Sequence, residues 1–262
     1  MIKGVAGAIA LLFIAGSPAF AQNTSTQPSV DATGYSGSSD WTGFYVGINA
    51  GVGFGGADAV HTIGQAAPNI ANIAGNARPG LVGLNRMGVI AGGQTGYNYQ
   101  FGRYVAGVEA DIAYTGFDDT RDIGTAQLNT HLALNNRFHS NIDYLGTLRG
   151  RLGMTFGRAL LYGTGGLAYG GTDHSVTMFG PTGNIQFAGA REKTEVGFTA
   201  GAGIEYGITN HVSAKAEYLY YDLGRNIVDV AVIPGSGGAG TGYNSRFQDS
   251  GNLVRVGLNY KF

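Results

Sequence analysis

The chain has 262 residues, a formal net charge of -1, 47 glycines, 28 aromatic Tyr and Phe residues (15 and 13), and no cysteine. The charge balance removes any electrostatic ground for a nucleic-acid partner, and the missing cysteine excludes a disulfide scaffold and thiol chemistry. A charged fraction of 13% beside so many aromatics is the reverse of a disordered composition, so a folded, strand-rich chain is expected.

Residues 1–21 combine a basic start at Lys3, an apolar stretch and Ala19-Phe20-Ala21 before Gln22, the layout of a secretory signal peptide. No later run approaches the roughly 18 apolar residues of a spanning helix, so insertion into a membrane would have to use strands. Residues 22–40 are rich in Ser, Thr and Gly and read as a flexible polar linker; the folded domain is expected over 41–262.

Eight stretches then alternate with period two. The first, 42–54, sets Phe44, Val46, Ile48, Ala50 and Val52 on one face, and the second, 88–100, behaves similarly. The third, 104–114, opposes Tyr104, Val108, Ile112 and Tyr114 to Glu109 and Asp111. In the fourth, 142–156, Ile142, Tyr144, Leu148 and Leu152 oppose Asp143, Arg149 and Arg151. The fifth, 160–169, is too Gly-rich for its faces to be assigned. The sixth, 195–206, places Glu195 and Glu205 opposite Val196, Phe198 and Ile204; the seventh, 212–221, places Lys215 and Glu217 opposite Tyr218 and Tyr220. The last, 251–262, opposes Arg255 and Lys261 to Val254, Val256, Leu258, Tyr260 and Phe262.

Three connections are short, at 101–103, 157–159 and 207–211. Four are long and polar, at 55–87, 115–140, 170–193 and 222–250. Four long loops on one side and three short turns on the other is the connectivity of an eight-stranded antiparallel up-and-down barrel, an all-β fold with both termini on the short-turn side.

A soluble barrel would turn its apolar face inward, and a membrane barrel outward. Three features select the membrane form. Aromatics cluster near both strand ends, as at a lipid–water boundary. Glycines interleave the polar face, as a narrow lumen requires. The strands, about 10 to 13 residues long, are long enough to cross a bilayer at a tilt. Glu109, Asp111, Asp143, Arg149, Arg151, Glu205, Lys215, Glu217, Arg255 and Lys261 are then expected in the lumen as ion pairs that brace and largely plug a small barrel; the alternative role for them is an ion pathway.

The segments DWTGFYVGINAGVGFGG (40–56), GGQTGYNYQFGRYVAGVEAD (92–111), YLGTLRGRLGMTFGRALLYGTGGLAYG (144–170) and GAGIEYGITNHVSAKAEYLYYDLG (201–224) resemble the alphaproteobacterial outer-membrane β-barrel family, the small porin-like and immunogenic surface proteins. The resemblance implies residence in the Gram-negative outer membrane and no established enzymatic site. It also implies that Val256, Leu258, Tyr260 and Phe262 form the signal read by the barrel-assembly machinery. Members are described as envelope-structural, porin-like, host-interacting or haemin-binding. The implied partners are outer-membrane lipid and lipopolysaccharide, the assembly machinery during biogenesis, and a host or surface ligand at the external loops.

Four histidines, His61, His131, His139 and His174, fall in the long connections and are candidate haem or metal ligands, although no close ligand spacing accompanies them. His211 with Ser213, and His139 with Ser140, invite comparison with a lipid-hydrolysing Ser–His pair. His211 lies at the short-turn end, away from the outer leaflet, so no enzyme is expected. The expected function is a structural and surface component of the envelope, with a narrow diffusion channel and a haemin-binding surface protein as alternatives.

Overall fold

The computed structural model describes residues 40–55 and 59–262. The expected signal peptide, and the expected linker except Asp40, lie outside the described residues. In chain order the elements are β1 (Gly43–Gly55), β2 (Ala59–Gly64), α1 (Ala67–Ala74), β3 (Leu81–Gly83), β4 (Met87–Phe101), β5 (Tyr104–Ala126), β6 (Ala133–Phe156), β7 (Ala159–Phe179), β8 (Ile185–Gly207), β9 (Val212–Val232) and β10 (Gly242–Lys261). Eight antiparallel strands form the ring β1-β4-β5-β6-β7-β8-β9-β10, closed by the pairing of β10 with β1 from Tyr45↔Lys261 to Gly55↔Gly251. The eight expected strands are this ring. The remaining two, β2 and β3, come from the first long connection and extend the sheet beside the far end of β10.

Alternation sets the faces of each stave. On β1 the side chains of Phe44, Val46, Ile48, Val52 and Phe54 stand outward and exposed while Tyr45, Asn49 and Gly53 point inward. The ten steps from Phe44 to Phe54, at about 3.3 Å each and a tilt of about 40°, span roughly 25 Å, the height of a barrel's apolar band. Leu152 at 70% exposure and Val89 at 69% belong to the same outward band, and such exposure is tolerable only against lipid. Aromatic pairs line the short-turn rim: Phe44 and Tyr97 at 4.6 Å, Phe101 and Tyr104 at 5.9 Å, Tyr260 and Phe262 at 5.3 Å. Two of the short turns place Gly102 (φ 63°) and Gly157 (φ 62°) at the first central position, where a twist-compatible two-residue hairpin needs positive φ.

Three of the four long connections expected as loops are mostly strand. Within these three, only 127–132, 180–184 and 233–241 separate the staves. Beyond the apolar band the barrel turns inside out: Phe138, Val176, Met178, Phe187, Val228, Val230, Tyr243 and Phe247 form an apolar interior, while Arg121, Asp122, Arg137, Lys193, Arg225 and Arg246 face outward. The wall is there bathed in water instead of lipid, so the ordinary rule for soluble sheets returns.

Local irregularities permit the reversal. A bulge between Ile142 and Tyr144 changes the phase of β6, so Leu145, Thr147, Arg149 and Arg151 point inward below it and Leu134, Asn136, Phe138, Ser140 and Ile142 above it. Gly224, at φ 89°, does the same on β9: Leu219, Tyr221 and Leu223 point inward before it, and Asn226, Val228 and Val230 after it.

The connection between β1 and β4 folds over the open end as a lid. Proline in the first turn favours the start of α1, and Asn69 ties the helix down by accepting from the amides of Thr241 (3.1 Å) and Gly242 (3.2 Å) and donating to the carbonyl of Ala239 (2.9 Å). From the same segment Val60, Val82 and Leu84 enter the apolar interior, and the guanidinium of Arg78 donates to Asn136 and Gln186, both at 2.7 Å.

Candidate functional site

The lumen is filled in layers. At the short-turn mouth Trp41, Val105, Leu160 and Tyr162 pack together. Next comes a layer of charges, then an apolar layer that includes Ile90, Phe117, Ile142, Leu145, Leu219, Tyr221 and Leu253. A second polar cluster follows, under the apolar interior of the lid.

Eight of the ten predicted lumen residues converge in the charge layer, four carboxylates and four cations. Register brings them together: Glu109 on β5 lies opposite Arg149 on β6, Glu205 on β8 opposite Lys215 on β9, and Glu217 on β9 opposite Arg255 on β10. Arg149 is the centre, donating to Glu109 at 2.5 Å, Asp111 at 3.0 Å, Glu217 at 3.0 Å and the hydroxyl of Thr147 at 2.8 Å. Arg255 donates to Glu217 at 2.8 Å and Asp111 at 2.9 Å, and Lys215 to Glu109 at 2.8 Å. Arg151 binds Glu205 at 2.6 Å and lies 4.1 Å from the ring centroid of Tyr162, a cation–π contact on its way to the mouth.

Neutral groups add further hydrogen bonds to the carboxylates. Tyr45 donates to Glu109 at 2.7 Å and Tyr162 to Glu217 at 3.0 Å; Ser213 and Asn259 donate to Glu205 at 2.5 and 2.7 Å. Glycines make room for these long side chains: a Cβ at Gly203 would strike the ring of Tyr162, and one at Gly166 would overlap the carbonyl of Leu148 beside Arg149. With charges equal in number and each one paired, burial does not leave an uncompensated ion, the condition under which such a network is tolerated in a dry interior. Beside it the lower mouth holds a cavity of about 20 Å³, room for one water.

Two predicted members do not join. Asp143 is exposed outside the wall, where Asn141 donates to it at 2.7 Å, because the bulge at that point breaks the alternation from which its inward direction was expected. Lys261, two residues beyond Asn259, has already reached the rim and donates to the carbonyl of Asp40. Glu195 is also outside the network, contacting Lys193 at 3.3 Å.

The second polar cluster lies above the apolar layer. Asp249 accepts from Arg86 at 2.6 Å, from Asn226 at 2.9 Å, and pairs with His174 Nε2 at 2.9 Å; Arg86 also reaches Ser140 at 3.3 Å. Burial alone would raise the carboxyl pKa of Asp249, but the hydrogen bond from His174, the charges of His174 and Arg86, and the Asn226 amide outweigh it and bring it down to about 2. Through Arg86 this cluster anchors the end of the lid to the barrel wall.

The four candidate haem or metal histidines are not brought together. His174 is fully buried, stacked on Phe247 at 4.5 Å and bonded to Asp249. His61 is on β2 beside β10, whereas His139 is on β6, the stave opposite β10 in the ring, where its Nδ1 meets Thr120 at 3.0 Å; His131 is in the 127–132 connection. Among the described residues no group of three or more metal-ligating side chains occurs. The Ser–His pairs are apart as well: Ser213 donates to Glu205, His211 stacks on Tyr260 at 6.0 Å, and Ser140 faces inward while His139 faces out. Val256, Leu258, Tyr260 and Phe262 all stand on the outer face of the last stave.

Sequence reasoning missed Tyr45, which alternation alone could have placed inside, Tyr162, whose Gly-rich strand hides its faces, and Arg78, Arg86 and Asp249. Those three come from segments expected as loops. The period-two pattern of 226–232, with Val228, Val230 and Val232 at alternate positions, signals that the strand pair holding Asp249 continues past the membrane band; Arg78 and Arg86 carry no such signal.

Comparison with known proteins agrees with this architecture. Residues 7–262 match the outer membrane protein beta-barrel domain family. The chain is 33% identical over 242 residues to the 31 kDa outer-membrane immunogenic protein of Brucella melitensis, covering 90% of each. It is 35% identical over 191 residues to the 22 kDa outer membrane protein of Rhizobium leguminosarum, covering 72% of this chain and 74% of the other. The solved outer membrane protein OprG of Pseudomonas aeruginosa aligns with 86% of this chain and 98% of its own at 15% identity and a TM-score of 0.49.

Proposed function

This chain belongs to the outer membrane protein beta-barrel domain family and resides in the bacterial outer membrane, and from that premise we propose that it is a sealed, non-conducting and non-enzymatic barrel. It reinforces the envelope and carries a rigid, water-exposed dome to the cell surface. The observation behind this reading is the charge layer, in which Arg149 binds three carboxylates at once and apolar layers close the lumen on either side.

A diffusion channel needs a continuous wetted path and binding sites weak enough to leave. Here each lumen charge is engaged by an internal partner, and passage would require breaking several buried ion pairs together. The lid adds a further barrier, with Arg78 and Arg86 bonded into the interior. A catalytic role lacks its constellation, since the lumen carboxylates are neutralised by cations and the Ser and His residues are separated.

With short turns toward the periplasm, the dome and its three connections face outward, where a host or environmental ligand meets them. Proteoliposome swelling in small sugars tests the reading. The expected rate equals that of protein-free vesicles, and swelling that slows with increasing solute size would establish a pore instead.

A further inference from the structure

On the outside of the dome, where β9, β10 and β2 run side by side, lies a groove of about 430 Å³. Register sets its residues. Arg246 on β10 stands between His61 on β2 and Ile227 on β9, Arg225 lies opposite Gln248 nearer the membrane, and Ile63 borders the groove further out. All five of Arg225, Arg246, His61, Ile227 and Ile63 are exposed. The nearby carboxylate, Asp229, lies one row further out, opposite Asn244.

Two facts distinguish this surface. The first is availability. Arg121 and Arg137, exposed on the β5–β6 wall, pair with Asp119 and Asp122, and Arg191 with Glu195. Among the described residues, Arg225 and Arg246 are the arginines with no hydrogen bond, ion pair or ring contact. The second is sidedness. Around the rest of the ring, from β5 to β8, one row of the sheet carries Asp118, Asn141, Asp173 and Glu192 as successive neighbours. The dome is acidic on that wall and basic on the β9–β10–β2 wall.

Height completes the geometry. Arg225 follows the rim aromatic Tyr220 by five residues, which at about 3.3 Å per residue and a tilt of about 40° puts it roughly 13 Å above the edge of the apolar band. That is above a headgroup layer of roughly 5 to 7 Å, at the level of the sugars that an outer-leaflet glycolipid carries beyond its acyl chains.

We propose that this groove binds the phosphorylated sugars of an outer-leaflet glycolipid, with the guanidinium groups of Arg225 and Arg246 on their phosphates and Ile227 and Ile63 against their apolar faces. A guanidinium presents two parallel donors to a phosphate, a geometry a lone ammonium lacks. His61 adds a third donor at the same site. Charge complementarity confines the lipid to the β9–β10–β2 wall, because the acidic row from β5 to β8 repels the same phosphates.

The full chain, refolded in detergent, is titrated with purified lipopolysaccharide carrying phosphorylated core sugars and with the same lipid after enzymatic dephosphorylation, with bound lipid read by native mass spectrometry. The unaltered chain retains the phosphorylated form at least tenfold more tightly, and raised salt narrows the gap. R225A/R246A loses that preference; R121A/R137A, which removes exposed arginines from the other wall, keeps it. Equal retention of the two lipids by the unaltered chain would overturn the proposal, whatever the variants do. So would a loss in R121A/R137A as large as in R225A/R246A, which would mean attraction to cationic protein in general.

Discussion

Replacing Arg149 by Met is the most informative perturbation of the barrel interior. The side chain keeps its volume but loses its charge and its bonds to Glu109, Asp111, Glu217 and Thr147. None of the three carboxylates is left alone: Lys215 still holds Glu109, and Arg255 still holds Asp111 and Glu217. The layer nevertheless carries one uncompensated negative charge in a dry site, for which about 4 kcal/mol is the expected cost. With a urea dependence of about 2.5 kcal/mol per molar, the unfolding midpoint falls by roughly 1.5 M. Trp41, the single tryptophan, is buried in the lower-mouth cluster beside this layer, so its fluorescence reports the transition. Adding Glu217→Gln restores neutrality and is expected to recover about half of the loss, a non-additivity typical of residues in one network. A midpoint moved by less than about 0.3 M, or a double variant less stable than the single one, would refute the reasoning.

Other outcomes follow from the same geometry. Asp249→Asn removes the anchor of Arg86 and His174, so amide exchange over 59–86 accelerates while the lower barrel stays protected, as read by hydrogen-exchange mass spectrometry. Because the Asp249 carboxyl titrates at about 2 in the folded chain against 3.8 when free, its contribution of about 2 kcal/mol is fully present above pH ~4 and disappears as pH falls through 2. Protection of the lid amides in the unaltered chain, with the intrinsic exchange rate at each pH divided out, should therefore fall below pH ~3. Gly166→Ala forces a Cβ onto the Leu148 carbonyl and costs about 1 to 3 kcal/mol in urea unfolding, whereas Gly124→Ala, with open space around it, leaves stability unchanged or slightly raised. Phe262→Ala exposes nothing in the interior, since Phe262 is 72% exposed on the lipid side; refolding in detergent should proceed as before while outer-membrane levels in cells fall, which separates an assembly signal from a stability contribution.

The staves of the membrane band were legible because lipid outside and charge inside give each strand two chemically different faces. Parity alone then collects Glu109, Asp111, Arg149, Arg151, Glu205, Lys215, Glu217 and Arg255 on one surface, and that surface is the lumen. Asp143 shows where parity stops working. A bulge has no composition of its own in this chain, and one inserted residue reverses every assignment beyond it. The dome was misread as loops for a related reason. Its strands carry polar residues outward, so Val176, Met178, Val228 and Val230 alternate in the opposite sense to the band below, and a search for outward apolar faces passes over them. The lid was the least legible part, because Arg78 and Arg86 owe their burial to partners far away in sequence, Asn136, Gln186 and Asp249.

Single-channel recording across a planar bilayer tests the sealed lumen most directly. The refolded chain should insert without resolvable openings, and Arg149→Met should add no defined conductance, because the apolar layers on both sides of the charges remain. Reproducible openings of the unaltered chain whose size changes when Arg149 or Arg151 is replaced would contradict a sealed barrel and make the charge layer an ion pathway.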